Sequence, residues 1–376
     1  MDTYNFEDNS FSFKRYPETT NRSLRAWSAA DEYLIKKLFE DDPDTGNVHI
    51  GIYNDRFGFL SCLLKKFEPT VVTERKSQQR SVIQNLEANR IDLKLIKFMD
   101  PLECPVQNFD RVLLNIPKSM DLFELYLHQI HSNLTDNGTV LCGFMTKYFT
   151  PQMLNIAETY FENVEQSLAL KKSRVLVLKG KKESVNRSLV HRLNYDFGRK
   201  TQSVVQQNYG VFSADHIDYA TQFLIDNLQV KESENKVLDL ACGNGVIAMA
   251  VQLQKPEAEI YLTDDSFLAI ESAKLNIDGP GVHYFWNDRL DDIPKDSLDL
   301  VVTNPPFHFG FETNIEVTIR LFNEAADKLK KTGRFVCVAN QHLNYKTHLE
   351  KIFKVSVLAQ NDKFIVYECG FEGSGP

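Results

Sequence analysis

The sequence has little that would place it at a membrane, on a secretory route or around a metal. Its first residues, Met1-Asp2-Thr3-Tyr4-Asn5-Phe6-Glu7-Asp8, are acidic with no apolar core, so no secretory signal is expected. No uninterrupted apolar run approaches the roughly 20 residues that span a bilayer. The six cysteines, at 62, 104, 142, 242, 337 and 369, are scattered, with no C-x-x-C pair and no Cys/His cluster at zinc spacing. No metal is expected, and the cysteines read as reduced, buried small hydrophobes of a cytoplasmic protein. A surplus of positive charge is also missing: 43 Lys and Arg face 51 Asp and Glu, a formal net charge of −8. That argues against a uniformly basic nucleic-acid coat and leaves local patches open.

One such patch is present. Residues 171–200 hold 10 basic and 2 acidic side chains, whereas residues 1–170 hold 18 and 24 and residues 201–376 hold 15 and 25. With 376 residues, 43% hydrophobic and 25% charged, the chain is long enough for two or three globular domains.

Short β-branched runs alternate with helical patterns throughout, the mark of α/β folds with mostly parallel sheets. In the second half, Lys236–Leu240, Glu259–Thr263, Val282–Trp286, Leu298–Val302 and Arg334–Val338 read as strands. Val355–Ala359 and Lys363–Cys369 read as a closing antiparallel hairpin. In the first half, Val48–Tyr53, Thr70–Thr73, Leu95–Phe98, Arg111–Asn115 and Thr139–Gly143 follow a similar order. The loop Asn54-Asp55-Arg56-Phe57-Gly58 takes the place of Ala241-Cys242-Gly243-Asn244-Gly245, and Asn115-Ile116-Pro117-Lys118 that of Asn304-Pro305-Pro306-Phe307. Asn54 to Asn115 is 61 residues and Asp239 to Asn304 is 65, spacings that favour a duplicated domain over two unrelated doubly wound domains. The expected fold is two tandem Rossmann-like α/β domains, residues 1–183 and 184–376. They would be joined at Lys179-Gly180-Lys181-Lys182-Glu183-Ser184, read as a polar linker.

Val237-Leu238-Asp239-Leu240-Ala241-Cys242-Gly243-Asn244-Gly245 is a hydrophobic strand running into a glycine turn and then a helix. Gly243 and Gly245 let the backbone turn sharply and approach a ligand, and the helix points its amino end at that ligand. Gly243-x-Gly245-x-x-Ala248 also satisfies a dinucleotide fingerprint, with Asp264 placed for a ribose. Asp239 shifts the balance, because a carboxylate there repels a pyrophosphate and suits a cationic amino group. Asp264 can accept from two ribose hydroxyls, and Asn287 and Asp288 can reach a purine amino group. An amino-acid head, a ribose and an adenine in that order describe S-adenosylmethionine.

After the fourth strand comes Asn304-Pro305-Pro306-Phe307-His308. An exocyclic amine conjugated to a ring is a poor nucleophile. The Asn304 oxygen and the Pro305 carbonyl can accept both of its protons and aim its lone pair at a methyl donor. Pro305 and Pro306 fix the backbone, and Phe307 offers a flat face to a target base. His308 is placed to touch the substrate or take up a proton.

At these residues the chain resembles class I methyltransferases that modify amino groups. It resembles more closely the bacterial ribosomal RNA guanine-N2 methyltransferases with a duplicated domain. Asn304-Pro305-Pro306-Phe307-His308, Val211-Phe212-Ser213 and Val338-Ala339-Asn340-Gln341-His342-Leu343 carry that resemblance. Ala26-Trp27-Ser28-Ala29-Ala30-Asp31-Glu32-Tyr33-Leu34, Asn54-Asp55-Arg56-Phe57-Gly58 and Ile116-Pro117-Lys118 are similar to the branch acting on the large subunit. The resemblance implies N2 methylation of one guanine in 23S ribosomal RNA by a single chain using S-adenosylmethionine. It implies that Phe212 and Asn304 join Asp239, Gly243, Gly245, Asp264, Asn287 and Asp288 at the cofactor, and that the first half has lost its cofactor site. Ala241 departs from the pattern, since most members of that family carry glycine there.

For the RNA, Lys171, Lys172, Lys179, Lys181, Lys182, Arg199 and Lys200 are the candidate phosphate contacts. Other readings stay open: a small-subunit RNA guanine, an adenine or cytosine amino group, a protein glutamine amide, and a non-catalytic RNA-binding or assembly protein. Phe307, where glutamine methyltransferases usually carry tyrosine, disfavours the amide, and Asp239 disfavours a dehydrogenase.

Overall fold

The structure is a computed structural model. It describes residues 2–19, 21, 23–41, 48–103, 108–183, 185–198, 202–305, 308–309, 312–313 and 315–371. The chain forms two compact units, Met1–Leu189 and Val190–Pro376.

In the first unit a hairpin, β1 (Asp2–Phe6) with β2 (Asn9–Phe13), precedes α1 (Ala29–Asp41). There follow β3 (Ile50–Tyr53), α2 (Phe59–Leu63), β4 (Thr70–Val72), α3 (Lys76–Ala88), β5 (Lys97–Met99), β6 (Phe109–Asn115), α4 (Met120–Asn133), β7 (Leu134–Met145), α5 (Pro151–Tyr160), β8 (Phe161–Gln166) and β9 (Ser173–Lys181). The seven-stranded sheet has the order β5-β4-β3-β6-β7-β9-β8, parallel except where β9 pairs antiparallel with β7 and β8.

The second unit repeats this plan. A hairpin, β10 (Val190–Asp196) with β11 (Gln202–Asn208), precedes α6 (Tyr219–Asn227). Then come β12 (Lys236–Leu240), α7 (Val246–Gln254), β13 (Glu259–Asp264), α8 (Phe267–Lys274), β14 (Val282–Trp286), β15 (Leu298–Thr303) and a two-stranded ribbon, β16 (His308–Phe309) with β17 (Glu312–Thr313). The unit ends with α9 (Ile315–Lys328), β18 (Leu329–Asn340), α10 (Lys346–Leu349), β19 (Lys354–Gln360) and β20 (Phe364–Gly370). Its sheet order, β14-β13-β12-β15-β18-β20-β19, is that of the first unit strand for strand. The duplicated architecture read from landmark spacing is therefore present, and it extends to the leading hairpins, which the sequence reading missed.

Strand alternation divides the second core between the faces of its sheet. Val237, Ile260, Val302, Val336 and Val338 pack with Leu224 of α6, Val251 of α7 and Ile270 of α8. Leu238, Leu240, Val301 and Phe335 pack with Leu321 and Phe322 of α9 and Tyr345. Each fully buried Leu or Phe contributes roughly 1.5–3 kcal/mol, so both layers hold firmly to the sheet. β12 and β15 are neighbours from which the chain winds outward in opposite directions, and their carboxyl ends bound the crevice where ligands bind in such sheets.

The expected linker needs correcting. Lys179, Gly180 and Lys181 belong to β9, with Lys179 opposite Asn163 and Lys181 opposite Phe161. Their charges mimic a linker in composition, but they sit at the end of β9, past its pairing with β7, which stops at Leu178, and are held there by the edge strand β8. The compact first unit runs to Leu189, and within it Arg187 forms an ion pair with Glu124 of α4.

Candidate active site

The carboxyl ends of β12, β13 and β15 bring together Asp239, Asp264 and Asn304. Asp239 lies on the same sheet face as Val237, toward α6, α7 and α8, and only 1% of it is exposed. Its Oδ2 accepts from the Ala248 N–H of α7 at 3.0 Å, while Oδ1 is buried with no hydrogen-bond partner. Burial pushes its pKa well above the usual carboxylate range and the charge of Asp264 adds to the rise, against the pull of the Ala248 N–H. A bare, buried carboxylate oxygen is costly unless a donor or cation meets it.

The glycine turn is built around three left-handed residues: Ala241 at φ +58°, Gly243 at +55° and Gly245 at +79°. Asp264 ties it to β13, its Oδ2 accepting from Gly243 N at 2.9 Å and its Oδ1 from Ser266 N at 2.8 Å. The two glycines differ in use. A Cβ on Gly243 would meet nothing within 4 Å, whereas one on Gly245 would sit 3.1 Å from the Ala273 Cβ of α8. Gly245 therefore permits close packing of α7 on α8, and Gly243 alone has the open face expected of both.

Asn304 follows β15. Its Nδ2 donates to Thr221 Oγ1 at 2.8 Å and Asp218 Oδ2 at 3.0 Å, and its Oδ1 is buried with no partner. Two neighbouring strand ends thus each present one unpaired acceptor oxygen.

Asn287 and Asp288 occupy the expected strand end and are buried, but their side chains are engaged. Asn287 Nδ2 donates to Asp292 Oδ2 at 2.7 Å and its Oδ1 accepts from Arg289 N at 3.1 Å, so the amide is tied into its own turn. Asp288 is met by Arg320 of α9, which also donates to the Asp288 carbonyl at 2.8 Å. Phe212 follows β11 and is 70% exposed, so its ring is not packed among these strand ends. Pro305 is buried; Pro306 and Phe307 lie outside the described residues, as does the side chain of His308, whose backbone pairs with Thr313.

Sequence reasoning missed the support behind the turn. Asn244 Nδ2 donates to Gln207 Oε1 of β11 at 2.8 Å, and Gln207 Nε2 donates to Ser213 O at 3.0 Å. Asn276 Nδ2 donates to Asn244 O at 2.8 Å and Gln206 O at 2.7 Å. A buried polar side chain close to a glycine turn was the available signal, but its partner is 37 residues away.

Strand register gives the matching positions in the first unit. Asn54 (φ +56°) and Gly58 (φ +80°) reproduce the backbone of Ala241 and Gly245, while Arg56 stands at the place of Gly243. Ile52 stands for Asp239, Thr73 for Asp264, Pro101 for Asn287 and Leu102 for Asp288. Asn115 matches Asn304.

The basic stretch is partly spent within its own unit. Lys171 pairs with Glu32 at 2.7 Å, Lys181 Nζ donates to Leu134 O at 3.0 Å, and Lys182 Nζ donates to Glu158 O at 2.6 Å. Lys172 and Lys179 are exposed, and Arg199 and Lys200 lie outside the described residues. Cys62, Cys142, Cys242, Cys337 and Cys369 are buried thiols; Cys104 lies outside the described residues. Among the described residues no His/Cys/Asp/Glu group is placed to hold a metal, and no helix is long and apolar enough to cross a membrane.

Comparison with known proteins places this geometry. Residues 1–183 match the RLMG N-terminal domain and residues 202–368 the methyltransferase small domain. The ribosomal RNA large subunit methyltransferase G of Psychromonas ingrahamii is 32% identical over 374 residues, covering 96% of this chain and 97% of that protein. The protein of the same name from Streptomyces coelicolor is 33% identical over 363 residues, covering 94% and 96%. Among solved structures, the T. thermophilus 16S rRNA N2 G1207 methyltransferase in complex with AdoMet and guanosine superposes with a TM-score of 0.78. It is 19% identical and covers 99% of this chain and 98% of that one, a likeness of fold.

Proposed function

The chain belongs to the ribosomal RNA large subunit methyltransferase G family, and from that premise we propose that its second unit methylates the exocyclic N2 of one guanine in 23S ribosomal RNA. The observation that carries the reading is the pair of unpaired buried oxygens, Asp239 Oδ1 and Asn304 Oδ1, on adjacent strand ends. They suit a cationic donor group and an amine, the two functions this reaction must bring together.

S-adenosylmethionine, when bound, supplies an electrophilic methyl on a sulfonium. Asp239 fits its ammonium, since a cation beside that carboxylate reverses the penalty of burial. Asp264, which accepts from Gly243 N and Ser266 N, sets its carboxylate at the strand end where the ribose would lie. Asp288, held by Arg320, offers the acceptor for adenine, with Asn287 shaping the turn rather than contacting the base. Asn304 Oδ1 and the Pro305 carbonyl accept the two protons of the guanine amine, which directs its lone pair along the line of transfer. With the donor bound, its sulfonium would supply the methyl to that nitrogen, and the extra proton the amine then carries would be acidic enough for water to take. By their place after Pro305 in the sequence, Phe307 is the residue assigned to the face of the base and His308 the one assigned to the substrate beside it. In the first unit, Lys172 and Lys179 present charge for phosphates.

The test is transfer of labelled methyl to deproteinised 23S ribosomal RNA. Asn304→Ala should lower kcat by about 100-fold or more while leaving S-adenosylmethionine affinity within about 2-fold. Native transfer by Asn304→Ala, or no transfer by native enzyme to RNA or subunits, contradicts the reading.

A further inference from the structure

An asparagine amide presents opposite chemistry at its two ends: Oδ1 accepts and Nδ2 donates. Rotated by half a turn, Asn304 would offer protons to an amine that itself donates, and the site would repel the group it must hold. The orientation therefore has to be fixed by something else.

Two acceptors at the start of α6 fix it. Thr221 Oγ1 and Asp218 Oδ2 both take Nδ2 protons of Asn304, at 2.8 and 3.0 Å, so both donors are used and Oδ1 is left bare. A carboxylate has no proton to give Oδ1, so the reverse orientation would set oxygen against oxygen. Asp218 is itself immobilised as the N-cap of α6, its Oδ2 accepting from Ala220 N at 3.0 Å and Thr221 N at 3.1 Å. Thr221 is 7% exposed, beside Leu224 on the buried side of the helix.

The first unit keeps a reduced form of this device. Asn115 Nδ2 donates to Asp31 Oδ1 at 2.7 Å, and Asp31 Oδ2 is held by Ser28 N and Oγ, each at 2.7 Å. A helix start gripping the strand-end asparagine thus belongs to the architecture. In the second unit the grip is doubled and leaves a single buried acceptor facing the reaction.

We propose that Asp218 and Thr221 are positioning residues that lock the Asn304 amide with its oxygen toward the target amine, and so set the rate of methyl transfer without touching either substrate. This rests on the role given to Asn304 above. The rival role is purely structural, a strut between α6 and β15, and the two differ in what they change.

The experiment is steady-state kinetics on 23S ribosomal RNA with calorimetric S-adenosylmethionine binding. It compares native enzyme with Thr221→Val, Thr221→Ser, the double variant Asp218→Ser/Thr221→Val (serine keeps a helix cap) and Asn304→Ala. Thr221→Val should lower kcat about 10-fold and the double variant about 100-fold, with RNA KM and cofactor affinity within about 2-fold. Thr221→Ser, which restores the acceptor, should recover kcat to within about 3-fold of native. Native kcat in Thr221→Val, Thr221→Ser as slow as Thr221→Val, or a loss falling on cofactor affinity overturns the proposal. If the double variant does not fold, the valine and serine pair decides alone. A native rate in Asn304→Ala removes the reading of the site itself, whereas a fast Thr221→Val beside an inactive Asn304→Ala removes only the positioning role.

Discussion

Asp239 and Asp55 are both buried carboxylates near the end of a first sheet strand, and their surroundings give them different consequences. Asp239 keeps one oxygen bare, so a donating or cationic ligand can relieve the part of its burial penalty that the Ala248 N–H does not. Asp55 is satisfied from within: its Oδ2 accepts from Ser61 N at 2.8 Å and Ser61 Oγ at 2.7 Å. Burial, reinforced by the charge of Asp31, still raises its pKa from 3.8 to about 6. The folded state therefore holds this proton more tightly than the unfolded chain does. The stabilisation is complete below about pH 4 and is lost as pH rises through about 6, an effect of about 3 kcal/mol. Urea titrations from about pH 4 to pH 7 should show native protein losing about that much stability relative to Asp55→Asn. A difference between the two that does not vary with pH contradicts the assignment. Asp239 and Asn304 were legible in the sequence because residue type and strand-end position coincide there. Asp218 and Thr221 were not, since they lie 86 and 83 residues from the amide they hold, and nothing local marks a helix cap as serving a distant side chain. Asn287 shows another limit of local reading: its amide is engaged in its own turn, a common fate of asparagine.

At the scale of elements, the central parallel strands β3, β4, β12 and β15 were readable because each is a short apolar run buried at nearly every position. The hairpins were not. β11, Gln-Ser-Val-Val-Gln-Gln-Asn, is largely polar, and its value lies in where its amides go. Gln207 has no exposed surface and supplies the acceptor for Asn244, and Asn208 N donates to Ser272 Oγ of α8 at 2.9 Å, so β11 braces the glycine turn and the helix behind it. Gln207→Leu would keep most of the volume and leave the buried Asn244 Nδ2 unpaired, at a cost of about 1–3 kcal/mol. Because the turn flanks the proposed cofactor site, S-adenosylmethionine affinity should fall about 10-fold by calorimetry, with kcat at saturating cofactor within about 3-fold. Unaltered affinity in the folded variant contradicts the bracing role. Lysines within a strand, as in Lys179 and Lys181, were the other trap, since charge density reads as linker until the strand pairing is seen.

For the molecule as a whole, sheet order repeats exactly twofold in kind while chemistry does not. The first unit keeps the left-handed turn at Asn54 and Gly58 and the strand-end Asn115, yet has Ile52, Arg56, Thr73, Pro101 and Leu102 where the second has Asp239, Gly243, Asp264, Asn287 and Asp288. A sheet's packing depends on apolar volume and turn geometry, so the framework can persist when the acceptors that give a site its charge are replaced. Calorimetry on the full chain should find about one S-adenosylmethionine site per chain, lost in Asp239→Asn; two sites, or one that survives that substitution, would put a cofactor in the first unit. The central claim, that this chain methylates N2 of one guanine of the large-subunit RNA through Asn304, is tested most directly by mass mapping of 23S ribosomal RNA. The RNA comes from cells lacking the protein and from the same cells supplied with native protein or Asn304→Ala. One N2-methylguanosine should be absent without the protein, return with native and stay absent with Asn304→Ala; an unchanged map, or full return with Asn304→Ala, would contradict it.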